Sequence, residues 1–143
     1  MITELNGNIF NSTCDGLVNP VNCIGVMGKG LALEFKKRYP LNFKAYYDEC
    51  KANRLRPGII FTFNEAGKLI INFPTKVHWR EQSSYEYIEA GLQALKMLIK
   101  KQYIKSIAIP KLGCGLGGLN WPIIRSIMIN NLYNIDIDIV IYI

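Results

Sequence analysis

The sequence predicts an α/β domain in which a mixed, mostly parallel sheet of about six strands carries helices on both faces. Two observations predict this fold. Apolar, β-branched segments alternate with helical patterns along the chain, and a short Ala66-Gly67 turn joins two adjacent strand-like segments. With 143 residues, half of them hydrophobic, the chain is long enough for one domain with its own core, which we place over residues 1–143.

The amino-terminal half contains four predicted strands and two predicted helices. A weakly alternating strand meets a turn at Gly7, and the apolar strand that follows should break at Pro20. Pro40 separates two short helical patterns, because it ends the first of them. The last two strands flank the Ala66-Gly67 turn. In order, the segments are ITELNGNIF, GLVNPVN, LALEFKKRY, LNFKAYYDECKANR, IIFTF and KLIINF.

The carboxyl-terminal half alternates two helices with two strands. Ser83 and Glu86 have the Ser-x-x-Glu spacing of a capping box, in which both side chains satisfy free N–H groups at a helix start. Apolar residues then recur at helical spacing, and Pro122 is tolerated in the first turn of the next helix. In order, the segments are SSYEYIEAGLQALKMLIK, IKSIAIP, WPIIRSIMINNLY and DIDIVIYI.

The composition narrows the functional classes. The net charge of +6 and the pI of about 9.2 suit a nucleic-acid or polyphosphate ligand, and equally suit an ordinary Lys-rich surface. No apolar run approaches the roughly 18 residues of a membrane span, and no signal-peptide pattern is visible, so we expect a reduced, cytoplasmic protein. No metal site is expected, because His78 forms no usual zinc-binding pattern with the four cysteines Cys14, Cys23, Cys50 and Cys114.

Two glycine-rich segments, IGVMGKG and KLGCGLGGLN, each follow a predicted strand and precede a predicted helix. Ligands of open α/β sheets bind beyond the carboxyl ends of the strands, and glycine backbones offer N–H groups to phosphate. Two such loops predict a ligand with several phosphates, or with a phosphate and a sugar, although each loop could be only a tight turn. Lys29 is followed by Gly30 rather than by Ser or Thr, which excludes a Walker A motif. Asp136 and Asp138 begin the last strand instead of ending it, which excludes a dinucleotide-binding dehydrogenase.

Four separated motifs resemble the macrodomain family, which binds ADP-ribose: VMGKGLALEFKKRYP, INFPTKVHW, EYIEAGL and LGCGLGGLNW. Together they are most similar to the DarG-type antitoxins, which are related to the terminal ADP-ribose glycohydrolase branch. The resemblance covers essentially the whole chain. It implies a cofactor-free enzyme that hydrolyses the N-glycosidic bond between ADP-ribose and a DNA base, thymidine foremost, and so repairs DNA modified by a partner toxin of the DarT type.

Two other functions stay open from the sequence. A macrodomain can bind ADP-ribose without turning it over, because a fold alone does not determine an activity. It can also hydrolyse another ADP-ribose linkage, such as an acyl ester of acetylated ADP-ribose or of a protein carboxylate.

The resemblance also implies where the ligand and the chemistry lie. Lys76 is the family's residue for chemistry, which either assists the leaving base or attacks the anomeric carbon, and Asn22 is expected to orient the distal ribose as the second catalytic residue. The alternatives are a surface lysine and an asparagine that caps a turn. The residues expected to bind ADP-ribose are Asn8, Ile9, Asn22, Gly28, Gly30, Leu31, Thr75, Lys76, Gly113, Cys114, Gly115, Leu116 and Gly117. Those expected at the nucleobase or DNA are His78, Trp79 and Arg80, for which loop packing is the alternative.

Three positions depart from the family's pattern or leave a role open. Asn8 stands where macrodomains commonly carry an Asp for the adenine amino group, and its amide oxygen can still accept that hydrogen bond. Gly117 stands where human-type relatives carry an acid, so a mechanism through that carboxylate is not expected. Cys114 is either a thiol activated by a helix start or, more simply, a small residue in a tight loop.

The resemblance implies three partners. They are ADP-ribose, ADP-ribosylated single-stranded DNA and a DarT-type toxin, and the chain itself is expected to be a monomer. DarG-type antitoxins carry a further C-terminal region that engages the toxin, so this chain is either a stand-alone macrodomain or one part of a longer protein.

Overall fold

Six strands and four α-helices alternate along the chain in the computed structural model, which describes residues 1–143. The strands are β1 (Ile2–Leu5), β2 (Gly16–Val21), β3 (Phe61–Glu65), β4 (Lys68–Pro74), β5 (Ser106–Pro110) and β6 (Asp138–Tyr142). The helices are α1 (Gly30–Arg38), α2 (Pro40–Lys51), α3 (Tyr85–Lys101) and α4 (Trp121–Leu132), and a short 3₁₀ helix covers Ile9–Asn11. None of these helices has the length and apolar character needed to cross a membrane.

All six strands belong to one sheet, in the order β1-β6-β5-β2-β4-β3. Every neighbouring pair is parallel except β3 and β4, which form an antiparallel hairpin. The hairpin turn at Ala66 and Gly67 has φ angles of 52° and 77°, the left-handed pair that a two-residue hairpin turn requires. The predicted mixed, mostly parallel sheet is confirmed. Because β2, β4 and β5 run in one direction, the loops that follow them meet at the same edge.

Helices cover both faces of the sheet, as predicted. Successive strand residues point to opposite faces, so Leu17 and Val18 pack into different hydrophobic clusters. On one face, α3 and α4 bury the larger cluster, which includes Phe73, Ile88, Leu92, Ile109, Ile124 and Met128. On the other face, α1 and α2 bury two smaller clusters, which include Phe35, Ile70, Ala108, Met27, Tyr46 and Leu55.

β2 continues through Pro20, so the expected break in this strand is wrong. The carbonyl of Val21 accepts a hydrogen bond from the N–H of Thr75, beyond the end of β4. Since successive residues alternate in direction, the nitrogen of Pro20 faces the β5 side. β5 pairs with β2 only at Gly16 and Leu17. β2 has no hydrogen-bonding neighbour on that side at Pro20, so the missing N–H group of the proline costs the sheet no hydrogen bond.

Three fully buried asparagines join α2 to the centre of the sheet. Asn19 of β2 donates to Asn72 of β4 over 3.2 Å, and Asn42 of α2 exchanges hydrogen bonds of 2.9 and 3.2 Å with Asn72. The Asn19 amide also lies 3.8 Å from Sδ of Met27, in the loop after β2. Asn19 therefore lies inside β2, directly before the proline at which the strand was expected to break. Because buried amides are costly unless paired, this network holds α2 at one position on the sheet.

α3 begins without the predicted capping box of Ser83 and Glu86. Ser84 is the N-cap residue, and its side chain makes no capping hydrogen bond. Ser83 is buried instead: its hydroxyl donates to Oγ1 of Thr75 over 3.2 Å, and its N–H donates to the carbonyl of Gly117 over 2.9 Å. Contacts of Ser83 with Thr75, eight residues earlier, and with Gly117, which is distant in sequence, have replaced the local capping pattern.

Gly91 in α3 provides a test of the packing between this helix and the sheet. A Cβ atom at this position would lie 2.2 Å from Cζ of the fully buried Phe73. We expect Gly91→Ala to lower the free energy of unfolding by about 2 kcal/mol in urea denaturation, because overpacking outweighs the better helix propensity of alanine. Met97→Ala, at an exposed site of the same helix, should change it much less. Equal stability of the Gly91→Ala and wild-type proteins would contradict this packing.

Candidate functional site

A crevice of about 810 Å³ lies at the edge of the sheet where β2, β4 and β5 end. Its walls come from the first glycine loop (residues 22–30), the β4 loop (residues 75–84) and the second glycine loop (residues 111–119). All residues predicted to bind the ligand line this crevice: Asn8, Ile9, Asn22, Gly28, Gly30, Leu31, Thr75, Lys76, Gly113, Cys114, Gly115, Leu116 and Gly117. The strand order puts the residues after β1 at one end of the crevice and those after β4 at the other. A volume of this size suits a small-molecule ligand.

The side chain of Asn22 holds the first glycine loop in shape. Its Oδ1 accepts hydrogen bonds from the N–H groups of Ile24 and Val26, over 3.1 and 3.3 Å, and its Nδ2 donates to the carbonyl of Val26 over 2.7 Å. Asn22 lines the crevice, but its amide is engaged with its own loop. These contacts favour the alternative of a turn-capping asparagine, and its contact with a distal ribose stays a prediction.

The buried hydroxyl of Tyr46 adds a second layer to this loop. It lies 2.7 Å from Oδ1 of Asn22 and 2.9 Å from the Asn22 carbonyl. Burial raises the pKa of Tyr46 far above its ordinary value, so the hydroxyl stays protonated and donates at neutral pH. α2 therefore positions the first glycine loop, although no residue of α2 lines the crevice.

The glycines of the second glycine loop serve two different purposes. A Cβ atom on Gly117 would lie 2.3 Å from Oγ of Ser83 and 2.4 Å from the carbonyl oxygen of Gly113, so Gly117 is required for loop packing. A Cβ atom on Gly115 would meet no atom within 4 Å, although Gly115 lines the crevice. Gly115 therefore leaves open space above the loop backbone, where a ligand can approach closely.

Backbone N–H groups that have no partner are concentrated along both loops. Those of Gly28 and Lys29 in the first loop donate no hydrogen bond within the chain, and neither do those of Gly115, Leu116 and Gly117 in the second. The two loops also approach one another, because a Cβ atom on Gly30 would lie 3.4 Å from Cδ1 of Leu116. Free N–H groups on two facing loops form a cradle for an anionic group such as phosphate.

Lys76 lies at the β4 end of the crevice. Its Nζ donates to the carbonyl oxygens of Trp79 and Glu81, over 3.4 and 3.2 Å, and has no carboxylate within ion-pairing distance. The residue is half-buried and lines the crevice. Lys76 is thus held by its own loop with its charge available to a ligand, and its catalytic role stays a prediction.

Of the three residues predicted to contact a nucleobase or DNA, only Trp79 lines the crevice. Trp79 is 42% exposed, and the guanidinium of Arg80 lies 4.7 Å from the centre of its ring. His78 packs beside Trp79, and its Nδ1 accepts a hydrogen bond from the N–H of Arg80 over 3.1 Å. His78 and Arg80 therefore contact one another within the β4 loop and do not line the crevice, and their contacts with DNA stay predictions.

The thiols and carboxylates offer neither an activated nucleophile nor a metal site. Burial raises the pKa of Cys114, whose Sγ donates to the Leu112 carbonyl over 3.4 Å, and this favours the second alternative, a small residue in a tight loop. Burial also raises the pKa of Cys23 to about 12. No three His, Cys, Asp or Glu side chains lie close enough together to hold a metal ion.

Comparison with protein-family models identifies the family of this fold. Residues 18–128 match the model described as Macro domain. The chain belongs to the macrodomain family. It is 44% identical to the DNA ADP-ribosyl glycohydrolase of Mycobacterium tuberculosis, in a match that covers 99% of this chain and 42% of that protein. The chain spans roughly two fifths of the length of such curated relatives.

Solved structures agree with this assignment. The macrodomain of Mycobacterium tuberculosis DarG superimposes with a TM-score of 0.96 at 44% identity, covering 99% of this chain and 97% of that one. A structure of Thermosipho africanus DarTG in complex with ADP-ribose matches with a TM-score of 0.94 at 35% identity, covering 99% of this chain and 41% of that one. This chain is therefore similar to DarG macrodomains over its whole length.

The crevice of this macrodomain contains residues that the sequence analysis did not select. Pro110 ends β5 and Lys111 follows it, Tyr142 ends β6 and Ile143 follows it, and Ser83 comes from the β4 loop. The positions after β5 and β6 could have been found from strand ends alone, because parallel neighbours end at one edge. Ser83 could not, since its spacing to Glu86 indicated a helix cap.

Tyr46→Phe tests whether α2 positions the first glycine loop. The substitution keeps the buried ring but removes the hydroxyl that contacts Asn22. We expect it to lower the free energy of unfolding by about 1–2 kcal/mol, because a buried acceptor loses its donor. Urea denaturation would measure this, with Tyr103→Phe as the control, since Tyr103 is fully exposed. Indistinguishable stabilities of the two variants would mean that the Tyr46 hydroxyl does not support the loop.

Proposed function

We propose that this macrodomain binds ADP-ribose and hydrolyses the bond that joins it to a DNA base, thymidine foremost, reversing the action of a DarT-type toxin. The observation that carries the proposal is Lys76, which lines the crevice and whose amine has no carboxylate partner. The name of the Mycobacterium tuberculosis relative and the ADP-ribose in the Thermosipho africanus structure support the substrate. A DNA substrate and a toxin partner also favour the cytoplasm, where we propose that the protein acts as a monomer.

ADP-ribose fits the arrangement of the crevice. The facing loops around Gly28 and Gly115 offer their free N–H groups to the diphosphate. The adenosine would lie toward Asn8 and Ile9, where Oδ1 of Asn8 accepts one hydrogen bond, from the N–H of Phe10, and has a lone pair left for an amino group. The distal ribose would then lie at the β4 end of the crevice, next to Lys76.

The proposed reaction requires Lys76 either to protonate the leaving base or to attack the anomeric carbon. Hydrolysis forms a bond between a water oxygen and the anomeric carbon of the distal ribose and breaks the bond from that carbon to the base nitrogen, which keeps the electron pair and gains a proton. An ammonium at Lys76 can deliver that proton. A neutral amine can instead form a bond from Nζ to the anomeric carbon while the bond to the base breaks, and the base leaves with the electron pair and takes up a proton. The adduct becomes a Schiff base when the sugar ring opens, and water hydrolyses it to free ADP-ribose and the lysine amine.

The DNA would leave the crevice at Trp79. This ring is exposed, lines the crevice and lies in the same loop as Lys76, so it can stack on the base that Lys76 acts upon. Stacking of a base on an aromatic side chain contributes roughly 1–3 kcal/mol in proteins that bind single strands. The net charge of +6 favours the phosphates of the strand.

Gly115→Val tests the binding of ADP-ribose by the second glycine loop. Its side chain would project into open space in the crevice, so we expect the fold to keep its stability while the affinity for ADP-ribose falls at least about tenfold. Titration calorimetry measures the affinity, and thermal unfolding with and without ligand checks the fold. Gly117→Val is unsuitable alone, because it clashes with Ser83. Unchanged affinity in a stable Gly115→Val protein would mean that the loop is only a turn.

Lys76→Ala should keep ADP-ribose binding and slow the release of ADP-ribose from modified single-stranded DNA by about 10²–10⁴-fold, as expected for the loss of an acid–base group. Lys76→Arg distinguishes the roles, because a guanidinium keeps the charge but neither attacks carbon nor gives up a proton. We expect Arg to be as inactive as Ala, and borohydride trapping of an adduct would then identify attack by the amine.

Other outcomes of these measurements would select another function. If Lys76→Arg restores turnover, Lys76 supplies only charge. If the wild-type protein binds ADP-ribose but releases none from DNA, acetylated ADP-ribose and ADP-ribosylated protein carboxylates are the next substrates to assay. If none of these is hydrolysed, the macrodomain is a binding module.

A further inference from the structure

Two lysines and two aromatic rings form a continuous row on the outer side of α1 and α2, which we call the aromatic–lysine row (Lys36, Phe43, Tyr47, Lys51). Nζ of Lys36 lies 4.5 Å from the centre of the Phe43 ring, and Nζ of Lys51 lies 4.9 Å from the centre of the Tyr47 ring. The two ring centres are 6.2 Å apart. Because residues 43, 47 and 51 are one helical turn apart, the row follows one face of α2 for roughly 12 Å.

The two lysines of this row differ from the cations around them. Neither Lys36 nor Lys51 has a carboxylate within ion-pairing distance. Most neighbouring cations do have one: Lys37 and Arg38 pair with Glu34, Lys44 with Asp48, and Arg54 with Glu49. The row therefore presents uncompensated positive charge next to exposed aromatic surface, the combination that binds single-stranded nucleic acid without sequence preference.

A chain of contacts connects the row to the crevice. A Cβ atom on Gly25 would lie 3.1 Å from Cδ2 of Tyr47, so the first glycine loop passes directly against the row. The N–H of Cys23 in that loop donates to the carbonyl of Val77 over 2.8 Å, and Val77 is two residues from Trp79. Trp79, Val77 and Tyr47 are each about two-fifths exposed. The β4 end of the crevice is thus connected to α2 through the first glycine loop, with exposed side chains at both ends of the connection.

We propose that the aromatic–lysine row is the track for the unmodified part of a single-stranded DNA substrate, which leaves the crevice at Trp79 and crosses the first glycine loop onto α2. The inference rests on the proposed function for its substrate and adds the surface that holds the strand. Lys36 and Lys51 contact phosphates, and the exposed Tyr47 ring stacks with a base.

The test compares two double variants with the same change in charge. Lys36→Gln/Lys51→Gln removes the cations of the row, while Lys100→Gln/Lys101→Gln removes two exposed cations at the end of α3. Three ligands are titrated against each protein: an unmodified ten-nucleotide oligothymidylate, the same oligonucleotide carrying ADP-ribose on one thymine, and free ADP-ribose. For the modified oligonucleotide each protein also carries Lys76→Ala, so that the ligand is not hydrolysed during the titration. Tyr47→Leu is measured in the same way.

We expect the row variant to weaken binding of both oligonucleotides about tenfold and to make the slope of log Kd against log salt shallower by about 1.4, the value for two lost single-strand phosphate contacts. Tyr47→Leu should weaken it at least about fivefold. Affinity for free ADP-ribose should stay unchanged in both, and the Lys100/Lys101 variant should bind all three ligands nearly as the wild type does.

Equal losses in the two double variants would overturn the proposal, because the effect would then be that of net charge. A loss of ADP-ribose affinity in the row variants would also overturn it, since the row would then act through the shape of the first glycine loop. The unmodified oligonucleotide separates this inference from the proposed function. The wild-type protein could release ADP-ribose from DNA while the row variant binds the unmodified oligonucleotide as tightly as the wild type does. In that case the proposed function stands and the track is absent.

Discussion

The carboxamide of Asn22 is the interaction on which the crevice depends. It satisfies two N–H groups and one carbonyl of its own loop and receives the hydroxyl of Tyr46, so a glycine-rich segment acquires one shape. Glycine-rich backbone loses more conformational entropy on ordering than any other, and only specific hydrogen bonds can offset that cost. The free N–H groups of Gly28 and Lys29 are then held in place before a ligand arrives.

Tyr46 is positioned by the packing of its helix, α2, on the sheet. α2 is held on the sheet by the buried amides of Asn19, Asn42 and Asn72 and by the apolar cluster around Met27. Paired buried amides tolerate only one register, because a shift would leave several polar groups unpaired at once. Loop, helix and strand therefore form one unit, and the proposed DNA track lies on the outer side of the same helix.

Lys76 is positioned differently from the buried asparagines and from Tyr46. Its amine is not buried in a network but is held by two carbonyl oxygens of the β4 loop, with no carboxylate partner. The β4 loop is itself attached to both glycine loops, through Val77 to the first and through Ser83 to the second. The three loops together place an amine, an exposed indole and two sets of free N–H groups around one crevice, an arrangement that suits the proposed hydrolysis of a bond between ADP-ribose and a base.

Local periodicity and turn chemistry in the sequence were enough to predict the α/β class, the hairpin at Ala66-Gly67 and the helices on both faces. The rule that parallel strands end at one edge located the two glycine loops at the ligand crevice, and the family resemblance supplied the individual residues predicted there. Other features depend on the folded chain. Ser83 bonds to Thr75 and Gly117 instead of capping α3, and Pro20 lies inside β2. The physical reason is that both outcomes depend on groups that only folding brings together. Gly117 is distant from Ser83 in sequence, and Pro20 is tolerated because β5 pairs with β2 only at Gly16 and Leu17.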